Sequence, residues 1–259
     1  MSTPHLGVVD WGIGGLGVLG LLDELAPALD VTYWSDTGSA PYGLVPTRAL
    51  ARRLHAVVDR LAAAGCTEVV LACNAASTVA PRLAGAALPV QGIIEHGIRA
   101  VPPDAELIGV VAGRRTVRSG AYRRGLATPG RQVVSRVAQP LSAHIEAGRM
   151  GSDAFERDLG RIVAPLRGAD VVVLACTHYP AAADRFAAHL PGTALVDPAG
   201  GAASDIADRL AATSAAAAAG GRRRVRYLTT GDPDEMARAA RLAWGRRLAR
   251  VERVREPVS

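Results

Sequence analysis

Two cysteines, Cys73 and Cys176, carry the chemical signal in this 259-residue chain. Each closes an apolar run and is followed by a hydrogen-bonding side chain. Val69-Val70-Leu71-Ala72-Cys73-Asn74 is matched by Val172-Val173-Leu174-Ala175-Cys176-Thr177. His178 lies two residues beyond the second cysteine, and Asp10 ends the first apolar run of the chain. A thiol titrates near ~8.5, so both of its protonation states are reachable at neutral pH. Two thiols facing one carbon from opposite sides could take a proton from one face and return one to the other, which would racemise an amino acid at Cα. Asp10 and His178 could tune and orient the sulfurs. Asn74 and Thr177, with backbone N–H groups at the helix starts that follow, could hold an α-carboxylate. Either cysteine alone would read as a small buried residue, as free cysteines commonly are. Their repetition in register argues for chemistry.

The elements that must position these groups follow from periodicity. Leu6–Val9, Val31–Trp34, Glu68–Ala72, Leu107–Ala112, Gln132–Val137, Asp170–Ala175 and Ala194–Val196 are near-continuous apolar runs, expected of strands covered on both faces. Amphipathic stretches such as Thr47–Ala64, Asp153–Pro165, Ala202–Ala212 and Asp234–Leu248 alternate with them. A late strand is expected over Val225–Thr229, and the Ala/Gly stretch Ala211–Gly221 reads as a helix end and loose connector. The order is that of a doubly wound α/β fold with parallel sheets. An internal repeat refines it. Leu6-Gly7-Val8-Val9 is echoed by Ile108-Gly109-Val110-Val111, and Gly7 to Cys73 spans 66 residues where Gly109 to Cys176 spans 67. The expectation is two pseudo-symmetric lobes, 1–95 plus 210–259 and 96–209, with the site in the cleft between them. Each cysteine then sits at the C-terminal end of a strand, where open α/β sheets bind ligands.

Composition narrows the alternatives. Three cysteines, Cys66 being the third, do not make a disulfide framework, and no CxxC or zinc spacing is present, so no metal is expected. The net charge is +6 and all 30 basic residues are Arg, which raises a nucleic-acid reading. The arginines are scattered beside Asp and Glu, however, and only Arg222-Arg223-Arg224 with Arg226 forms a tight run. A solvated surface without a nucleic-acid partner is therefore expected. The first residues lack a basic segment followed by an apolar stretch, and no apolar run reaches ~18 uncharged residues. A cytoplasmic protein with free thiols and no membrane partner is expected. Gly12, Gly14 and Gly17 satisfy GxGxxG after a strand, the dinucleotide fingerprint. Asp10 would repel a phosphate there, and Trp11 is bulky beside the turn. A tight structural turn is the competing reading.

Asp10-x-Gly12-x-Gly14-Gly15, Asp36-Thr37, Pro41-Tyr42-Gly43, Cys73-Asn74-x-Ala76-Ser77 and Cys176-Thr177-His178-Tyr179-Pro180 stand in an order and spacing that resemble the glutamate racemases of the cofactor-independent aspartate/glutamate racemase family. Glu95, Thr116-Val117-x-Ser119-Gly120-Ala121-Tyr122 and Thr229-Thr230-Gly231-Asp232-Pro233 fit as well. The resemblance covers nearly the whole chain. It implies an isomerase with no cofactor, acting on a small amino-acid substrate as a homodimer. It also implies that Cys73 and Cys176 are the acid/base pair, with Asp10 assisting Cys73 and His178 and Glu146 assisting Cys176. By the same resemblance the backbone of Tyr42 and Gly43 meets the substrate's distal carboxylate, Pro41, Asn74, Thr116 and Thr177 line the site, and Asn74 and Thr177 meet the α-amino-acid end. The sequence departs from the family at Trp11 (normally Ser), Ala75 (normally Thr), Gly113 (normally Thr) and Gln139 (normally Cys). Three hydroxyl donors are lost, at about 1.5–3 kcal/mol for each hydrogen bond to a charged group. The expectation is retained racemisation or epimerisation with an altered substrate. The alternatives are a glutamate racemase proper, making D-glutamate for peptidoglycan, or a one-cysteine isomerase or decarboxylase on the same scaffold.

Overall fold

The computed structural model describes residues 4–212 and 223–255. Among the described residues, strands fall in two sheets in which every pairing is parallel. In chain order they are β1 (His5–Asp10), β2 (Asp30–Ser35), β3 (Glu68–Leu71), β4 (Val90–Gly92), β5 (Leu107–Ala112), β6 (Gln132–Val137), β7 (Val171–Ala175), β8 (Ala194–Val196), β9 (Val225–Thr229) and β10 (Val251–Arg253). One sheet has the order β10-β9-β2-β1-β3-β4 and the other β6-β5-β7-β8. The segment β2-β1-β3-β4 of the first is thus reproduced by the whole of the second, with β1 matching β5 and β3 matching β7.

The repeat extends to side-chain packing. A Cβ on Gly7 of β1 would come within 2.9 Å of Leu61 and 3.2 Å of Val69, and one on Gly109 of β5 within 2.7 Å of Val172 and 3.1 Å of Leu166. In both lobes a central-strand glycine lets an aliphatic side chain of the neighbouring strand and a leucine from the covering layer close over the sheet. The helices bury faces set by their apolar spacing. Thr47–Ala63 buries Leu50, Leu54, Val57, Val58 and Leu61. Asp153–Val163 buries Phe155, Leu159, Ile162 and Val163 and is capped by Ser152, whose hydroxyl accepts from the Phe155 N–H at 3.2 Å. Helix Pro198–Ala212 packs on Leu16–Leu25 and on Ile94–Arg99, and the largest buried cluster runs through both lobes.

The last helix is shorter than its periodicity predicts. It spans Pro233–Trp244 rather than reaching Leu248, because Gly245 adopts φ +62 and closes it with a left-handed cap. The residues beyond turn back into β10, which the sequence reading lacks along with β4; Val90-Gln91-Gly92 and Val251-Glu252-Arg253 are short and carry one apolar side chain each, unlike the apolar run of β8. The connector expected over Ala211–Gly221 lies, past residue 212, outside the described residues, as does Arg222 of the basic run. The rest of that run is paired: Arg223 with Asp23 (2.5 Å), Arg224 with Asp30 (2.6 Å) and Arg226 with Glu252 (3.3 Å). No helix among the described residues is long and apolar enough to cross a membrane.

Candidate active site

The C-terminal ends of β1, β3, β5 and β7 converge on a cavity of about 480 Å³ between the sheets, in the size range of small-molecule sites. The first lobe contributes Asp10, Trp11, Pro41, Tyr42, Gly43, Cys73, Asn74 and Ala75 to its wall, and the second contributes Gly113, Thr116, Glu146, Cys176, Thr177 and His178. All of the residues singled out from the sequence as site candidates therefore face one space. Arg115, Gln139, Ser142 and Arg238 line it too. Gln139 stands out in the sequence only as a departure from the family, and Arg115 adjoins a marked segment. Nothing distinguishes Arg238 from the other arginines of its helix.

Cys73 caps the short helix Asn74–Ser77 with extended backbone, φ −68 and ψ 120, which carries its sulfur past the strand end. Ser77 anchors that turn by donating to the carbonyls of Leu71 and Cys73, both at 3.0 Å, and accepting from the Ile93 N–H at 3.0 Å. Burial pushes the Cys73 thiol far up, and the nearby Asp10 carboxylate pushes the same way. The N–H groups of Ala76 and Ala75 partly offset this. Cys73 therefore rests as a neutral thiol. Cys73 and Cys176 line the same cavity from the two lobes.

The other sulfur meets different company. Cys176 Sγ lies 3.9 Å from His178 Nδ1, and His178 Nε2 forms a short hydrogen bond with a Glu146 carboxylate oxygen. Burial works against a charge on His178. The Glu146 carboxylate and the hydrogen bonds to Cys176 and Glu146 outweigh it and hold the imidazolium well above the ordinary 6.5. A relay Glu146–His178–Cys176 thus stands on one side of the cavity, and Asp10 beside Cys73 on the other.

Asp10 is 1% exposed; its Oδ1 accepts from the Gly12 N–H at 3.2 Å, and the Thr177 hydroxyl lies close enough to ease its charge. Burial raises its pKa against the pull of the nearby His178 charge. A carboxyl pKa raised on folding lowers stability as pH rises from the unfolded value of about 3.8 through the folded one, because the native state must give up a proton it holds more tightly. Asp10→Asn keeps the acceptor for Gly12 and removes the buried charge. Above that window it should stabilise the protein by about 1–3 kcal/mol, raising Tm by about 2–6 °C in a calorimetric scan at pH 7. An unchanged or lower Tm would show that His178 already compensates the charge.

The glycine turn after β1 serves contact between the lobes. A Cβ on Gly14 would fall 2.3 Å from Thr177 Oγ1 and 2.8 Å from His178 Nδ1, and one on Gly12 would fall 3.0 Å from both Glu146 oxygens. The space a pyrophosphate would need is filled by second-lobe side chains, so the turn is the structural one. Tyr33 braces it by donating to the Gly12 carbonyl at 2.8 Å.

The cavity-facing polar groups are fixed from behind. Asn74 Oδ1 accepts from the Tyr122 hydroxyl at 2.8 Å across the lobes, which turns its amide N–H2 outward as a donor. Tyr42 is held by the wholly buried Asp36, which accepts from the Tyr42 hydroxyl (2.8 Å), from Arg53 (2.7 and 2.9 Å) and from Thr230 (3.0 Å). The Trp11 indole N–H is committed to the Ser39 carbonyl at 3.1 Å, leaving its ring to the cavity without a free donor. Among the described residues no group of three or more His, Cys, Asp or Glu is placed to hold a metal ion.

Residues 17–206 match the family model described as Asp/Glu/Hydantoin racemase. A glutamate racemase of Gloeobacter violaceus is 34% identical over 242 residues, covering 91% of this chain and 90% of its own. One from Thermus thermophilus is 34% identical over 261 residues, covering 98% of each. The crystal structure of glutamate racemase from Thermus thermophilus in complex with β-chloro-D-alanine superposes with a TM-score of 0.88 at 30% identity, covering 98% of this chain and 97% of that one.

Proposed function

This chain belongs to the Asp/Glu/hydantoin racemase family, and on that footing we propose that it racemises an amino acid by two-base proton transfer at Cα between Cys73 and Cys176. The observation that carries the reading is the pairing of these cysteines at equivalent strand ends in one cavity, each beside its own polar assistant. In one direction the Cys176 sulfur, with His178 taking up or returning charge through Glu146, removes the Cα proton. Cys73 delivers its thiol proton to the opposite face. In the other direction the roles exchange. Asn74 and Thr177 hold the α-amino-acid end.

Two substrate readings follow from different observations. The named relatives favour glutamate. The committed indole of Trp11, with Ala75 and Gly113 in place of hydroxyl residues, favours a different or larger amino acid. Cα proton exchange followed by NMR in D2O, over a panel of L- and D-amino acids, tests both. Exchange of glutamate above all others supports the first reading, and exchange of another amino acid the second. No exchange with any member would sink two-base racemisation of free amino acids. Trp11→Ser restores one hydroxyl. It should raise kcat/KM for glutamate about tenfold or more, the worth of one hydrogen bond to a charged group. No gain would mean that the lost hydroxyl is compensated elsewhere.

A further inference from the structure

We infer that Arg115 and Gln139 are specificity-determining residues that select an anionic oxygen-bearing group at the far end of the substrate side chain, replacing the hydroxyl donors absent from this pocket. This assignment rests on the proposed amino-acid substrate.

Gln139 starts helix Gln139–Glu146 and lines the cavity. Its Oε1 accepts from the Arg114 N–H at 3.2 Å. With the oxygen committed, the N–H2 is the end left for a ligand. The amide lies where side chains are missing from both lobes: a Cβ on Gly113 would be 3.2 Å from Oε1, and one on Gly43 3.8 Å. Its Oε1 therefore fills the room that a residue larger than glycine would take at 113, and the N–H2 is the other branch of the same amide.

Arg115 supplies the charge. Its Nε donates to the Tyr42 carbonyl at 3.0 Å, one Nη to the Val45 carbonyl and the other to Thr47 Oγ1 at 3.3 Å. These oxygens are all neutral, and among the described residues Arg115 has no carboxylate within ion-pair distance. The guanidinium is half-buried on the cavity wall. A partly desolvated cation held in place by neutral acceptors has an uncompensated field, and a carboxylate in the cavity is its natural counter-ion. The side chain also ties the second lobe to the loop carrying Tyr42 and Gly43, so charge recognition and loop placement fall on one residue.

The test separates these roles by ligand. Binding of D-glutamate, D-glutamine and D-norvaline to the full-length protein would be measured by calorimetry, without turnover. The wild type should prefer glutamate to norvaline by about tenfold or more, as expected of a site built around hydrogen bonds. Gln139→Glu should lower glutamate affinity about tenfold and leave glutamine nearly unchanged, because a carboxamide can donate to the new carboxylate. Gln139→Leu should reduce the preference of glutamate over norvaline. Arg115→Gln should weaken glutamate more than glutamine, whereas a purely structural role would weaken all three alike. A wild type that binds norvaline as tightly as glutamate, or binds none of the three, would overturn the assignment. So would variants that keep the wild-type ratios. Expected ratios without Cα exchange would instead overturn the two-base reading and leave the specificity assignment standing.

Discussion

In D2O, Cys73→Ala and Cys176→Ala should each lose racemisation by about 10²–10⁴-fold, the usual worth of a positioned general acid or base, while each retains Cα exchange with one enantiomer only. In the proposed mechanism each sulfur addresses one face of Cα, so removing it would abolish transfer on that face and leave the other sulfur able to remove and return a proton on its own. The two variants should therefore exchange opposite enantiomers. A one-cysteine isomerase or decarboxylase would survive one substitution with its turnover intact, and a binding protein would show no turnover to lose. Complete retention of racemisation by either variant would remove the pair from the mechanism. Both cysteines are small and bordered by the cavity, so alanine at either position leaves little strain, and folding can be checked by thermal scan.

The second large effect concerns His178 and Glu146. His178→Asn should lower kcat about 10²–10³-fold, since it removes the imidazole that meets Cys176 Sγ at 3.9 Å. Glu146→Gln should be more informative. In the native protein Glu146 holds the imidazolium against its burial. With glutamine there, burial is less opposed and the proton is lost at lower pH. The alkaline limb of the kcat/KM profile should then move toward acid by about one unit or more. Stability follows the same sign. A histidine whose pKa is raised on folding stabilises the native state fully below its unfolded value of 6.5, and that contribution fades as pH rises through the folded value. The stability deficit of Glu146→Gln should accordingly be largest below pH 6.5 and shrink in alkali. An unmoved alkaline limb with a large loss of kcat would mean that Glu146 only orients the ring.

Much of this arrangement is legible in the sequence because it rests on local patterns. The strands closed by Cys73 and Cys176 are nearly unbroken apolar runs, and the nearly equal spacing from Gly7 and Gly109 shows the repeat before any contact is known. His178 is visible because it is close in sequence to Cys176. Glu146 is reached only through family resemblance, since no periodicity connects residue 146 to residue 178. The role of the glycine turn is beyond local reading altogether: its glycines answer to Thr177, His178 and Glu146, more than 130 residues away. The part played by Arg115 and Gln139 is hidden for a related reason. Their significance lies in which of their atoms are already bonded, a property of the folded state. The end of the last helix depends on the backbone of one residue, Gly245, whose left-handed conformation overrides an otherwise continuous helical pattern.

The repeated strand order that frames this site does not make it symmetric: one sulfur belongs to a half-buried thiol near Asp10, and the other meets an imidazolium. Thermodynamics limits what that inequality can do. Free enantiomers have equal energies, so their equilibrium constant is unity and kcat/KM must be the same in both directions. Unequal halves can therefore never make the enzyme one-way. They can only trade turnover against saturation, so that the direction with the larger kcat also has the larger KM. Net production of one enantiomer must come from whatever consumes it, and the uneven cysteines would set how fast the mixture is replenished when one hand is drawn away.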